Sequence, residues 1–253
     1  MAGHSKWANI KHKKGAADAK RGKAFSRVSK EITTAVRQGL PDPDANPRLR
    51  AAIASAKAIN MPKDGIERAV KKGTGELGGG ILEELMYEAY GPGGVAIVID
   101  ILTDNRNRTA SNIRLIFTKA GLSLADPGSV SRMFSRKARF ALEGENIDEE
   151  SLYELLLEAD VDVEEIEVGE GTAEIIAPPE AFNDILATLE NTDMTIQESE
   201  VTKIANPLID VDAATAQKVM KIVDKLEDDD DVSKVYTSMH LTDEVIGELS
   251  KLD

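Results

Sequence analysis

Cysteine is absent from the 253 residues. That excludes a disulfide framework, thiol catalysis and cysteine-ligated zinc, and it suits the reducing cytoplasm, where the protein is expected to reside. Aromatic residues amount to 4%, with a single tryptophan, so the 42% hydrophobic content must build cores from Leu, Ile, Val and Ala. No apolar run approaches the ~18 residues that cross a bilayer, and no membrane partner is expected. Histidine is limited to His4, His12 and His240. Neither H-E-x-x-H, nor G-x-S-x-G, nor a phosphate-binding loop ending in Lys and Ser or Thr occurs. Catalytic and ligating chemistry is this sparse, so the expectation is not an enzyme, with no cofactor, no metal and no small-molecule substrate. Asp228–Asp231, after Glu227, lacks the alternating oxygen ligands and turn glycine of a calcium loop and reads as a solvated helix-to-strand turn.

The most informative absence is regional. Residues 141–200 hold 20 acids and no Lys or Arg. Residues 1–80 hold 17 Lys or Arg against 7 acids, within a chain of net charge −14. The basic end is densest over Met1–Lys30, where Lys6, Lys11, Lys13, Lys14, Lys20, Arg21, Lys23, Arg27 and Lys30 face one acid, Asp18. Cations clustered at one end of an acidic chain are the footprint of a phosphate-backbone partner. Trp7 and His12 lie inside this block. Trp7 between Lys6 and Lys11 either stacks on a base or packs on its own domain.

Residues 1 to about 15 lack periodicity and read as an arm. A helix from about Ala16 to Gln38 follows, with Phe25, Val28, Ile32, Ala35 and Val36 on one stripe. Lys20, Lys23, Arg27, Lys30 and Arg37 fall roughly opposite, as a basic strip expected to face outward. Asn46 and Pro47 open a second helix, and a third runs from near Pro62 to Gly73. Gly73–Gly80 reads as a linker: its G-x-G-x-x-G spacing follows a helix, not the strand that a dinucleotide site requires.

Two strands, Glu84–Tyr90 and Val95–Leu102, are then joined through GPGG, and a helix carries Ile113 and Phe117. Gly128–Phe134 reads as a further strand. The acidic region gives strands and helices in the order βαββαβ, the ferredoxin-like arrangement. A last helix, Ala213–Leu226, and strand, Val232–Met239, are too little to fold alone, so they are expected to complete the segment Leu82–Phe134, with the acidic unit inserted between. Arg106 and Arg108 occupy a helix first turn, where cations oppose the helix dipole. Either an anion binds at that helix end, or these arginines pair with the acidic unit or are simply exposed.

The stretches AGHSKWANIKHKK and DAKRGKAFS, then DPDANPRLRAAI, NMPKDGIERAVKKGTGE, YEAYGPGGVAI and LTDNRNRTA, resemble the YebC/PmpR family in order and over essentially the whole chain. Arg132 and Ser135 depart from the family pattern, which has Trp and Glu there. The resemblance implies an α+β fold of three domains: a basic helical domain over residues 1–78 with its arm, a discontinuous α/β domain over 79–135 plus 205–253, and an acidic ferredoxin-like domain over 136–204. It implies a DNA-binding transcriptional regulator. The mitochondrial members, which are translational activators, imply the alternative of a ribosome- or RNA-associated translation factor, touching rRNA or tRNA and acting at proline-rich stalls. A monomer is expected. The residues expected at the nucleic acid are Lys6, Trp7, Lys11, His12, Lys13, Lys14, Lys20, Arg21, Lys23, Arg27, Lys30, Arg37, Arg106 and Arg108.

Overall fold

The computed structural model describes residues 17–78, 80, 82–145 and 147–249. Three helices open the chain: α1 (Ala17–Gln38), α2 (Pro47–Ala58) and α3 (Lys63–Gly73). Ile32, Ala35 and Val36 of α1 meet Leu49, Ala52 and Ala56 of α2 and Ala69 of α3 in one small core. The Ala-rich contacts let the helices come close. At Gly73 a Cβ would lie 2.6 Å from the Val36 Cβ, so α1 and α3 touch where only glycine fits. Asn46 closes the bundle. Its side chain accepts from the Leu49 N–H as the α2 N-cap, while its amide donates at 2.8 Å to the carbonyls of Ala35 and Leu40. One buried amide thus satisfies the end of α1 and the start of α2.

The second unit pairs β1 (Glu83–Tyr90) antiparallel with β2 (Ala96–Thr103). Gly93 turns the connection at φ +70°, which a side chain would disfavour. Helix α4 (Arg106–Lys119) follows, capped by Asn105. The chain departs and returns late in sequence with α7 (Ala213–Glu227) and β8 (Val232–Thr237), giving the sheet order β1-β2-β8. The returning segment therefore does complete the first one. Strand β2 is buried on both faces, as its nearly unbroken AIVIDILT run requires. Ile97, Ile99 and Ile101 pack under α4 and α7; Ala96 and Val98 meet Val130 on the other side.

Between these halves lies a four-stranded antiparallel sheet in the order β4-β5-β3-β6, with α5 and α6 packed on one face. Its elements are β3 (Phe134–Glu143), α5 (Glu149–Glu158), β4 (Glu165–Gly169), β5 (Thr172–Ala177), α6 (Phe182–Leu189) and β6 (Thr195–Ala205). This is the ferredoxin-like order, and the fold class is the three-part α+β arrangement implied by the sequence.

Three local expectations are corrected. Gly128–Phe134 is not a strand. It is a turn and a short 3-10 segment, Ser131–Met133, because the buried Glu88 carboxylate gathers the N–H groups of Gly128, Val130 and Ser131 at 2.6–2.7 Å and bends the backbone around itself. The following strand begins at Phe134, ahead of residue 136 where the acidic domain is expected to start, since β3 and β6 pair along their whole length from Phe134 with Ala205 to Glu143 with Thr195. The short strands β7 (Ile209–Asp210) and β9 (Met239–His240), paired in parallel, and helix α8 (Asp243–Leu249) were not expected.

Asn46→Ala removes a cap and orphans two carbonyls. It is expected to destabilise the N-terminal bundle by about 2–3 kcal/mol, read as an early transition in chemical denaturation followed by helical circular dichroism. Asn46→Asp, which keeps the cap but loses the two donors, is expected to fall between.

Candidate nucleic-acid interface

Helix α1 has two opposed faces, and the structure uses both. The apolar stripe enters the bundle core from Val28 to Val36. The stripe opposite, Lys23, Arg27 and Lys30, lies against the second unit rather than facing out. This corrects the outward basic strip at Lys23, Arg27 and Lys30. Lys23 donates to the Asp228 carboxylate at 2.8 Å. Lys30 donates to the Asp231 carboxylate at 2.8 Å and to the Asp230 carbonyl at 2.8 Å. Arg37 donates to the Gly80 carbonyl at 2.7 Å.

The acidic run at residues 228–231 is the expected turn, with Asp228 and Asp230 exposed, but its last carboxylate is not solvated. Asp231 is 4% exposed. Its Oδ1 accepts from Lys30, and its Oδ2 accepts from Arg108 and from the Thr109 hydroxyl at 2.7 and 2.8 Å. Burial by itself would raise this carboxyl. The hydrogen bonds from Lys30, Arg108 and Thr109 outweigh it and lower the pKa to about 2. Asp231 immediately precedes β8, whose Val232 is fully buried, so the strand draws the carboxylate inward. The arginines at the start of α4 resolve the same way. Arg108 pairs with Asp231 and, at 2.9 Å, with Asp104, both within its own unit, not with the acidic insert. Arg106 sits 3.5 Å from Glu83 with its side chain 64% exposed.

Where the three units meet lies a cleft of about 710 Å³, lined by Arg27, Arg48, Glu84, Asp100, Lys203 and Tyr236 among others. Arg48 bridges Glu31 of α1 and Glu84 of β1. Lys203 of β6 holds Asp100 of β2 at 2.5 Å and lies 5.0 Å over the Tyr236 ring, and Lys234 of β8 pairs with Glu200 of β6. Arg27 has its Nε and Nη2 shielded from solvent, with no hydrogen-bond partner among the described residues.

Of the other residues expected at the nucleic acid, Lys6, Trp7, Lys11, His12, Lys13 and Lys14 lie outside the described residues, and Lys20 and Arg21 belong to α1 with side chains outside the described set. One group was missed. Arg68, Lys71 and Lys72 of α3 are exposed opposite the core-facing Ile66, Ala69 and Val70, and they have no ion-pair partner among the described residues. The helical wheel of residues 63–73 carried that signal.

Family models described as TACO1/YebC protein N-terminal domain and TACO1/YebC second and third domain match residues 5–76 and 82–239. The chain belongs to the TACO1/YebC family. Its similarity to named relatives is end to end. A protein of Dictyoglomus turgidum is 48% identical over 251 residues, covering 99% of this chain and all of that one. One from Geobacter sulfurreducens is 47% identical over 249 residues, covering 98% of this chain and all of that one. Both are named probable transcriptional regulatory proteins. The crystal structure of a conserved hypothetical protein from Aquifex aeolicus superposes with a TM-score of 0.79 at 43% identity, covering 94% of this chain and 97% of that one. Within this TACO1/YebC chain, no helix among the described residues is long and apolar enough to cross a membrane.

Asp231→Asn keeps the shape but removes the charge shared by Lys30 and Arg108. The expected cost is roughly 3 kcal/mol, with faster proteolysis in the Thr74–Gly80 connection as the bundle loosens from the second unit. The pH dependence has a definite sign. A depressed folded-state pKa contributes stability that is complete above the ordinary value of 3.8 and is lost as pH falls toward about 2. Wild type is therefore expected to weaken between those values more steeply than Asp231→Asn in urea denaturation.

Proposed function

We propose that this protein is a nucleic-acid-binding regulatory protein, acting on DNA as a transcriptional regulator through its basic N-terminal unit. The observation that carries the reading is the segregation of charge: 17 Lys or Arg against 7 acids in residues 1–80, and 20 acids with no Lys or Arg in residues 141–200. A phosphate backbone is drawn to the first and repelled by the second. The names of the curated relatives agree with it. The contact set is the arm with Lys6, Trp7, Lys11, His12, Lys13 and Lys14, the first turns of α1 with Lys20 and Arg21, the exposed cations Arg68, Lys71 and Lys72, and Arg106. Lys23, Lys30 and Arg108 are already neutralised by Asp228 and Asp231, so a phosphate reaches them only by displacing a carboxylate. The reading is of a binding protein, not an enzyme.

A second reading, a ribosome-associated translation factor, is favoured by the acidic insert itself. A unit with no cation over sixty residues gains nothing beside naked DNA, whereas a ribosome offers RNA to one end and basic proteins to the other.

Fluorescence anisotropy with labelled duplex DNA and with single-stranded RNA, each across a salt series, tests the contact. Roughly six phosphates give a slope of log K against log salt near −5 on duplex. Reversing Arg68, Lys71 and Lys72 to Glu is expected to weaken binding at least tenfold and flatten the slope by about three. Lys23→Glu is expected to act mainly on stability. Binding indifferent to salt refutes the proposal. Co-sedimentation with ribosomes and no preference for duplex DNA selects the second reading.

A further inference from the structure

Helix α5 of the inserted unit carries more apolar surface than its core uses. Leu152 and Leu156 are buried in that core and Leu155 packs against it. Tyr153 and Leu157 point the other way and are 55% and 62% exposed. They stand one helical turn apart and so adjoin on the surface. Among the large exposed apolar residues of the described chain, they are the one pair so placed on a single helix. Glu149 and Glu150 lie one turn before Tyr153, and Glu154 lies between the two on the same flank, so carboxylates rim the pair.

We propose that this face of α5 docks a protein partner, and that the partner presents an amphipathic segment with lysine or arginine around an apolar centre. The inference is independent of which nucleic acid the basic end contacts. The occupant follows from charge. A segment holding 20 acids and no Lys or Arg repels nucleic acid and anionic lipid alike. A cationic segment is steered to it, and desolvation of Tyr153 and Leu157 then supplies the short-range affinity. Aromatic and aliphatic anchors inside a charged rim are the composition of a small interface. Tyr153 adds a ring face on which an arginine or lysine can rest. The face is opposite the sheet that holds the insert to the rest of the molecule: β6 carries Lys203 and Glu200, which grip Asp100 and Lys234, so α5 stays open when the three units are packed.

The probe is an 18-residue labelled peptide with leucine along one helical face and lysine along the other, titrated with the full chain. The control peptide has glutamate in place of lysine. The expected result is saturable binding of the Leu/Lys peptide and none of the Leu/Glu peptide. Tyr153→Ser with Leu157→Ser is expected to weaken binding at least tenfold with an unchanged melting temperature, since both side chains are exposed. Glu150→Gln with Glu154→Gln is expected to weaken it several-fold and reduce its salt dependence. Duplex DNA and RNA binding by the serine variant stays at the wild-type level, which separates failure here from failure of the nucleic-acid reading. Equal peptide binding by wild type and the serine variant overturns the proposal. So does binding of the Leu/Glu peptide. Sedimentation that shows a dimer abolished by the serine substitutions also overturns it, because the occupant is then a second copy of the chain.

Discussion

A single buried carboxylate, Asp231, governs how the parts of this molecule sit together. It is held by Lys30 from the N-terminal bundle and by Arg108 and Thr109 from α4, and it stands at the entrance to β8. A buried charge is tolerated only when it is paired and hydrogen-bonded on most sides. Meeting that requirement forces three elements, distant in sequence, to converge on one point. Lys23 with Asp228 and Arg48 with Glu84 extend the same contact outward. The helix whose cations look best suited to a phosphate backbone thus supplies part of them to internal acids that resemble phosphates in charge and geometry.

The consequence is a molecule whose electrostatic poles are set by what remains uncompensated. Among the described residues these are, at the basic end, Arg68, Lys71 and Lys72 of α3 and, at the other end, the exposed carboxylates of α5. Ion pairs of β6 with β2 and β8 join the insert to the second unit, beside the apolar contact of Phe134 of β3 with the cluster of Ala96, Val98 and Tyr236. Contacts of that kind between domains are compatible with adjustment on binding. The cleft where the three units meet is lined by these same pairs, which makes it a by-product of the docking as much as a cavity.

Much of the fold was legible because it is encoded locally. The Asn46-Pro47 helix start, the GPGG turn, the two-sided apolar run of β2 and the βαββαβ order each follow from neighbours in sequence. The candidate interface was legible only in part. Periodicity correctly split α1 into an apolar and a basic stripe, but a stripe of lysines looks the same whether it meets solvent, phosphate or carboxylate. Asp231, the last of four consecutive aspartates, looked solvated for the same reason. The bend around Glu88 was misread as a strand because its cause, a carboxylate some forty residues away, has no local trace.

The sequence by itself determined the family, the types and order of the elements, and the separation of positive from negative charge, since these depend on composition, spacing and short-range propensity. Only the tertiary structure decided which charges are left for a partner. Pairing Lys30 and Arg108 with Asp231 spans 201 and 123 residues, and such a choice rests on burial and distance, which no local pattern contains.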